Sequence, residues 1–296
     1  MRAFQALTSE PWAIEPSWLP ILAALAQRNH GAPELKAVEG WSKRDYDLFA
    51  GPAGRRLEGA RYTMVTDGGV AIIPVFGPIF PRANMMTEYS GAASATQLQA
   101  DHAIALRHPD VGAVMMLYDT PGGAVSGINA LADQINAGKK SKYTMSYVSG
   151  TAASAGYWLA SQGHEIAGER TAMVGSIGVV AAMPKQVEAD GDGYLTVEVV
   201  SSNAPNKRID PTTDDGQAKV REMLDAIEAE FIADVARGRG IKAADVPERY
   251  GQGGVLVGAA AKAAGMIDKI QSYEASVAAL SRMVANQRKV EALKGR

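Results

Sequence analysis

"YTMSYVSGTAASAGYWLASQG", residues 143–163, holds one complete structural step. Residues 143–148 are aromatic, β-branched or apolar at nearly every position, which reads as a buried strand. Gly150 and the small residues after it read as a turn, and "AGYWLASQG" reads as a helix. The stretch just before it, "VGAVMMLYDTPGGAVSGINALADQINAG" (111–138), repeats the grammar as strand, "TPGG" turn and helix. Two strand-turn-helix steps in succession imply parallel α/β architecture, because parallel neighbours need a crossover and the helix supplies it.

Upstream, "GGVAIIPVFGPI" (68–79) reads as another buried strand and "ATQLQADHAIALRHPD" (95–110) as a helix. Residues 1–62 break into short helical stretches interrupted by proline and glycine, which predicts a peripheral helical segment. Downstream, "TAMVGSIGVVAAM" (171–183) and "YLTVEVVSS" (194–202) read as short strands. A long amphipathic helix follows, with Asp210 expected as its cap and Pro211 at its first position. "GGVLVGAAAKAAGMIDKI" (253–270) reads as a strand or turn leading into a small-residue helix, and residues 273–296 as a closing amphipathic helix. The expected organisation is therefore an N-terminal segment 1–62, a catalytic domain 63–272 and a C-terminal helix or tail 273–296.

Composition narrows the function. The 296 residues are 47% hydrophobic and 21% charged with a formal net charge of -2, so there is no basic footprint for nucleic acid or an anionic membrane. Without cysteine there are no disulfides, cysteine nucleophiles or thiolate metal sites. The four histidines show no metal-ligand spacing, and no metal or other cofactor is expected. "WLPILAALAQ" (18–27) is too short to span a bilayer, while Glu10, Glu15 and Pro20 disfavour an export signal. A cytoplasmic protein is expected.

In parallel α/β sheets, sites lie beyond the carboxyl ends of strands. Both turns lie there. Gly122 and Gly123 let a backbone approach closely, and free N–H groups beyond them could hold a developing oxyanion, although a plain tight turn is the ordinary reading of an isolated "PGG". Ser154 reads either as a helix N-cap or as a nucleophile with room around it. His164, ten residues on, stands about 15 Å away if both ride one helix, and His30, His102 and His108 are no better placed. A lysine base would have to be partly neutral near pH 7, against an unperturbed value of about 10.4 for the residue type, and so needs an apolar enclosure. Lys207 in "SSNAPNKRIDP" (201–211) is the candidate, set against a solvated loop lysine.

Taken in order, "YDTPGG" (118–123), "GTAASAGYWLAS" (150–161), "VGSIGVV" (174–180) and that loop lysine resemble the signal peptide peptidase family of serine proteases and its phage relatives, the head maturation or capsid assembly proteases. The resemblance implies the Clp protease/crotonase-like spiral of βαβ units and assembly into a homo-oligomeric ring or dome. It implies Ser154 as nucleophile, Lys207 as general base and Ser176 as the hydroxyl that orients the lysine. Gly123 and the N–H of Ala155 would form the oxyanion hole, with Gly122 and Gly156 beside the substrate. The opening "ALTSEPWAIEPSWLPIL" (6–22) resembles the leader of the phage-type proteins, which points to capsid or scaffold proteins as substrates and to a host cytoplasm or virion precursor as the setting. A bacterial peptidase that degrades signal peptides, a silent assembly protein and a crotonase-like acyl-CoA enzyme are the alternatives.

Overall fold

The computed structural model describes residues 10–28, 48–51, 53–83, 92–183, 188 and 199–294. In chain order the strands are β1 (Trp12–Ile14), β2 (Arg55–Arg56), β3 (Met64–Val65), β4 (Val70–Phe76), β5 (Ile79–Phe80), β6 (Ala93–Ser94), β7 (Ala113–Thr120), β8 (Gly122–Ala124), β9 (Tyr143–Ala153), β10 (Glu165–Gly168), β11 (Met173–Gly175), β12 (Val255–Val257) and β13 (Lys269–Ile270). The α-helices that matter here are α1 (Trp18–Arg28), α2 (Ala95–Arg107), α3 (Ile128–Gly138), α4 (Ala155–Ala160), α5 (Asp214–Arg239), α6 (Val246–Arg249), α7 (Gly258–Ala264) and α8 (Tyr273–Lys294).

The architecture is mixed α/β. One sheet runs β12-β11-β9-β7-β4-β3-β2, with β10 and β13 branching from β9, and a smaller sheet runs β1-β8-β5-β6. The central pairs β4/β7 and β7/β9 are parallel, as the repeated grammar requires. Both faces of β7 are covered, so its residues divide by parity. Val114, Met116 and Tyr118 join the core with Ile128, Leu131 and Ile135 of α3 and with Ala155 and residues 157–160 of α4, whereas Ala113, Met115 and Leu117 face Leu280 and Val284 of α8. The closing helix is thus part of the domain's packing, not an appended tail.

Three expectations need correction. The N-terminal segment is not merely peripheral: β1 is fully paired, and Trp12, Ala13 and Ile14 are buried. The "PGG" turn does not lead straight into a helix, because Gly122–Ala124 form β8 and α3 begins only after Gly127. The long helix starts at Asp214, capped by the Thr213 hydroxyl, which accepts the Gly216 N–H at 3.1 Å. Asp210 instead takes the Thr212 N–H and hydroxyl at 3.0 and 2.6 Å, closing a turn one step earlier. The strand expected over 194–202 falls largely outside the described residues, and its last residues, Val199–Ser202, carry no strand. No described helix is long and apolar enough to cross a membrane.

Candidate active site

The site is built where β7 and β9 end. Strand β9 runs 11 residues and, along the edge away from β7, serves two partners in turn: β10 pairs Met145 to Val148 and β11 pairs Thr151 to Ala153. Between them Asp119 braces the bend, accepting the Thr151 N–H at 3.1 Å. The chain then turns sharply at Ser154 into α4. That turn is pinned by the Ser154 N–H, which donates to Gly175 O at 2.7 Å.

Ser154 sits at φ 51°, ψ -118° and is fully buried. Its hydroxyl caps nothing, which removes the N-cap explanation, and donates a long hydrogen bond to Gly178 O at 3.4 Å. Among the described residues only Ser154, Ser176 and Gln252 are non-glycine with positive φ. Such backbone costs about 1–3 kcal/mol and persists where surrounding structure enforces it, commonly at functional sites. Both serines singled out from sequence are therefore held in strained turns on adjacent strands, with Ser176 N–H bonded to Gly254 O at 2.7 Å.

Backbone amides lie beside Ser154. Thr120 shapes the approach: its hydroxyl donates to Gly77 O at 2.6 Å and accepts the Gly122 N–H at 3.1 Å. Gly122 is thereby spent on shaping the turn, at φ 103°. A Cβ on Gly122 would lie 3.0 Å from the Ala155 N, so β8 passes directly against the start of α4. The Ala155 N–H has no acceptor among the described residues, as expected for the first amide of a helix. Gly123 is locked by packing, since a Cβ there would sit 2.0 Å from Ile79 O. Gly156 has a different duty: its missing Cβ faces the Thr120 methyl at 2.6 Å, which lets α4 lie tight on β7. Helix α4 is anchored from outside by Trp158, stacked 4.4 Å from Phe231 of α5 and donating to Asp234 at 2.7 Å.

Lys207 is elsewhere in character. It ends a short 3-10 turn, Pro205–Lys207, that is exposed throughout. No hydrogen bond joins its amine to Ser154 or Ser176 among the described residues. The structure thus brings together Ser154, Ser176, Gly122, Gly123, Ala155 and Gly156, and shows Lys207 exposed and bonded to neither serine. Among the described residues no histidine bonds Ser154 either. His102 is buried against Gln134, and burial pushes its pKa down to about 4; His164 stacks on Tyr143. No metal-binding cluster of three or more His, Asp or Glu side chains occurs among the described residues.

Two parts of the site escaped the sequence. A cavity of about 200 Å³ opens behind Gly178, lined by Ile177, Val179, Leu224, Asp225 and Glu228. Burial, then the neighbouring Asp225, raises the Glu228 carboxyl above its usual range. The other is β1, which lies along β8. Its signal was present as "PWAIEP", three apolar residues between two prolines that confine a strand to an edge.

Residues 136–287, just over half of the chain, match the model of Peptidase family S49. The chain is 26% identical over 226 residues to Protease 4 of Haemophilus influenzae, covering 74% of this chain and 35% of that protein. It is 27% identical over 177 residues to the head-tail preconnector protein GP5 of Enterobacteria phage P21, covering 58% and 35%. Against the capsid assembly protease C of Escherichia phage lambda it is 26% identical over 271 residues, covering 88% and 61%. The chain spans less than two thirds of the length of each of these relatives.

Proposed function

The chain belongs to peptidase family S49, and from that membership we propose that it is a serine endopeptidase working through a Ser-Lys dyad. The observation that carries this reading is Ser154: buried, strained, capping nothing, and flanked by the β8 backbone and the unspent Ala155 N–H. The Ser154 oxygen attacks a peptide carbonyl, the Gly123 and Ala155 amides receive the negative charge, and Lys207 takes the serine proton and passes it to the leaving amine. Water then releases the acyl group. Ser176, in the turn that follows β11, would orient the amine. The chain would adopt the Clp protease/crotonase-like spiral.

Because Lys207 is exposed in the single chain and Ser154 is buried, the dyad forms only when the 201–211 loop is brought to the serine. A ring or dome of copies would provide this, by seating that loop against a neighbour or fixing it in place. The phage relatives support capsid or scaffold proteins as substrates. The deciding experiment incubates an unfolded protein with wild type, Ser154→Ala and Lys207→Ala and follows the products by intact mass. Cleavage by wild type alone supports the dyad, and cleavage that survives either substitution removes that residue from the mechanism.

A further inference from the structure

A peptidase groove presents backbone edges to an extended substrate. In this chain those edges are already paired, and with its own residues 11–15. On one side β1 runs antiparallel to β8 with Ala13 opposite Gly123. The Glu15 N–H donates to Pro121 O at 2.8 Å and the Val125 N–H to Pro11 O at 3.2 Å, one bond two residues before that pair and one two residues after it. Ladder bonds in an antiparallel pair recur at every second residue, so Ala13 and Gly123 are a hydrogen-bonded pair and the Gly123 N–H meets the Ala13 carbonyl. On the other side Trp12 exchanges both backbone bonds with Val180, at 2.8 and 2.9 Å, two residues past the Gly178 carbonyl that holds the Ser154 hydroxyl.

The carbonyl of Ala13 is the one that matters. A Cβ on Gly122 would lie 2.2 Å from the Ala13 oxygen and 3.0 Å from the Ala155 nitrogen, so this oxygen, paired with the Gly123 amide, also lies in the neighbourhood of the Ala155 amide, which donates to nothing among the described residues. The residues on either side are gripped as a substrate would be. Ala13 is fully buried, Trp12 meets Phe80 edge to face at 5.9 Å, and Ile14 packs with Leu22, Phe80 and Ala124.

We propose that residues 11–15 are an intramolecular substrate, cut by Ser154 between Ala13 and Ile14, and that until the cut they exclude other chains from the groove. The inference rests on the Ser-Lys reading. Ser154 Oγ bonds to the Ala13 carbonyl carbon as its proton passes to the base. The Ala13–Ile14 bond then breaks with that proton delivered to the Ile14 amine, and water hydrolyses the ester to free the carboxylate of Ala13. The groove therefore takes an extended strand with a small residue at the cut and large apolar residues flanking it.

The test follows full-length wild type and Ser154→Ala by intact mass over time, alone and with unfolded casein. Wild type should lose residues 1–13 while Ser154→Ala does not, and casein cleavage should show a lag that shortens as the processed form accumulates. Ala13→Ser should still be processed, and Ala13→Asp should be processed at least about tenfold more slowly. If Ala13→Asp shows no thermal transition, the wild-type and Ser154→Ala pair still decides. Casein cut while residues 1–13 stay attached, or a self-cut at another bond, overturns this inference and leaves the peptidase reading standing. Loss of residues 1–13 from Ser154→Ala overturns it as well, and no cleavage of either substrate overturns both.

Discussion

The serine side and the lysine side of this site are built in opposite ways. Ser154 is fixed by the ends of β9 and β11, by a bond from its own N–H, and by glycines that cannot accept a methyl group. Lys207 ends an exposed three-residue turn. Strain can be stored only where packing overdetermines the backbone, so the Ser154 turn and the amides beside it are preformed, whereas the position of Lys207 depends on where its loop is placed. On the proposed Ser-Lys reading, such a division would let assembly govern activity without disturbing the fold.

Substitutions on the two sides should separate function from stability. Ser154→Ala and Lys207→Ala should each lower kcat on an unfolded protein by about 10⁴-fold, and Lys207→Arg should be equally inactive because a guanidinium is not deprotonated. Thermal melts of the lysine variants should stay within about 1 °C of wild type, as expected for an exposed side chain; a large drop would show that the loop is packed and break the contrast.

On the serine side the backbone itself should be intolerant. Gly123→Ala should destabilise by about 3 kcal/mol in chemical denaturation, because its Cβ would fall 2.0 Å from a main-chain oxygen that cannot rotate away. A melt unchanged from wild type would mean that β5 and β8 can part.

Farther from the serine, Asp268 receives the Arg239 guanidinium at 2.5 and 3.0 Å and the Ile166 N–H at 2.7 Å. Burial raises its carboxyl, but the Arg239 and Ile166 hydrogen bonds outweigh this and hold it below the usual range. A depressed carboxylate contributes stability that is complete above its unfolded-state pKa and is lost as pH falls through the lower folded value. Asp268→Asn should cost about 1–2 kcal/mol at neutral pH, discounted because water reaches the aspartate. The gap from wild type should close on acidification; a gap that persists into strong acid would assign the loss to packing. The smallest effect belongs to the helix that follows the lysine loop: Thr213→Ala removes a cap and should cost about 1 kcal/mol in a melt while sparing kcat.

Much was legible in the chain alone. Apolar runs at 70–76 and 113–118 and the largely apolar, aromatic and β-branched run at 143–148 alternate with helical periodicity, and burial on both faces favours that pattern, so the parallel core and the Ser154 turn follow from local chemistry. The helix start was misplaced by a few residues because Asp210 and Thr213 are both good caps and only the turn at Thr212 separates them. Tertiary structure decided what spacing cannot express. Val199–Ser202, read as strand, pair with nothing among the described residues. "PWAIEP" is too short to stand as a strand unaided and becomes one because β8 and Val180 offer open backbone on both sides. Gly123 and Gly156 look alike in sequence, yet one meets a carbonyl and the other a methyl. Periodicity is a property of neighbours along the chain, whereas a groove, its occupant and the exposure of Lys207 are set by which distant backbones meet.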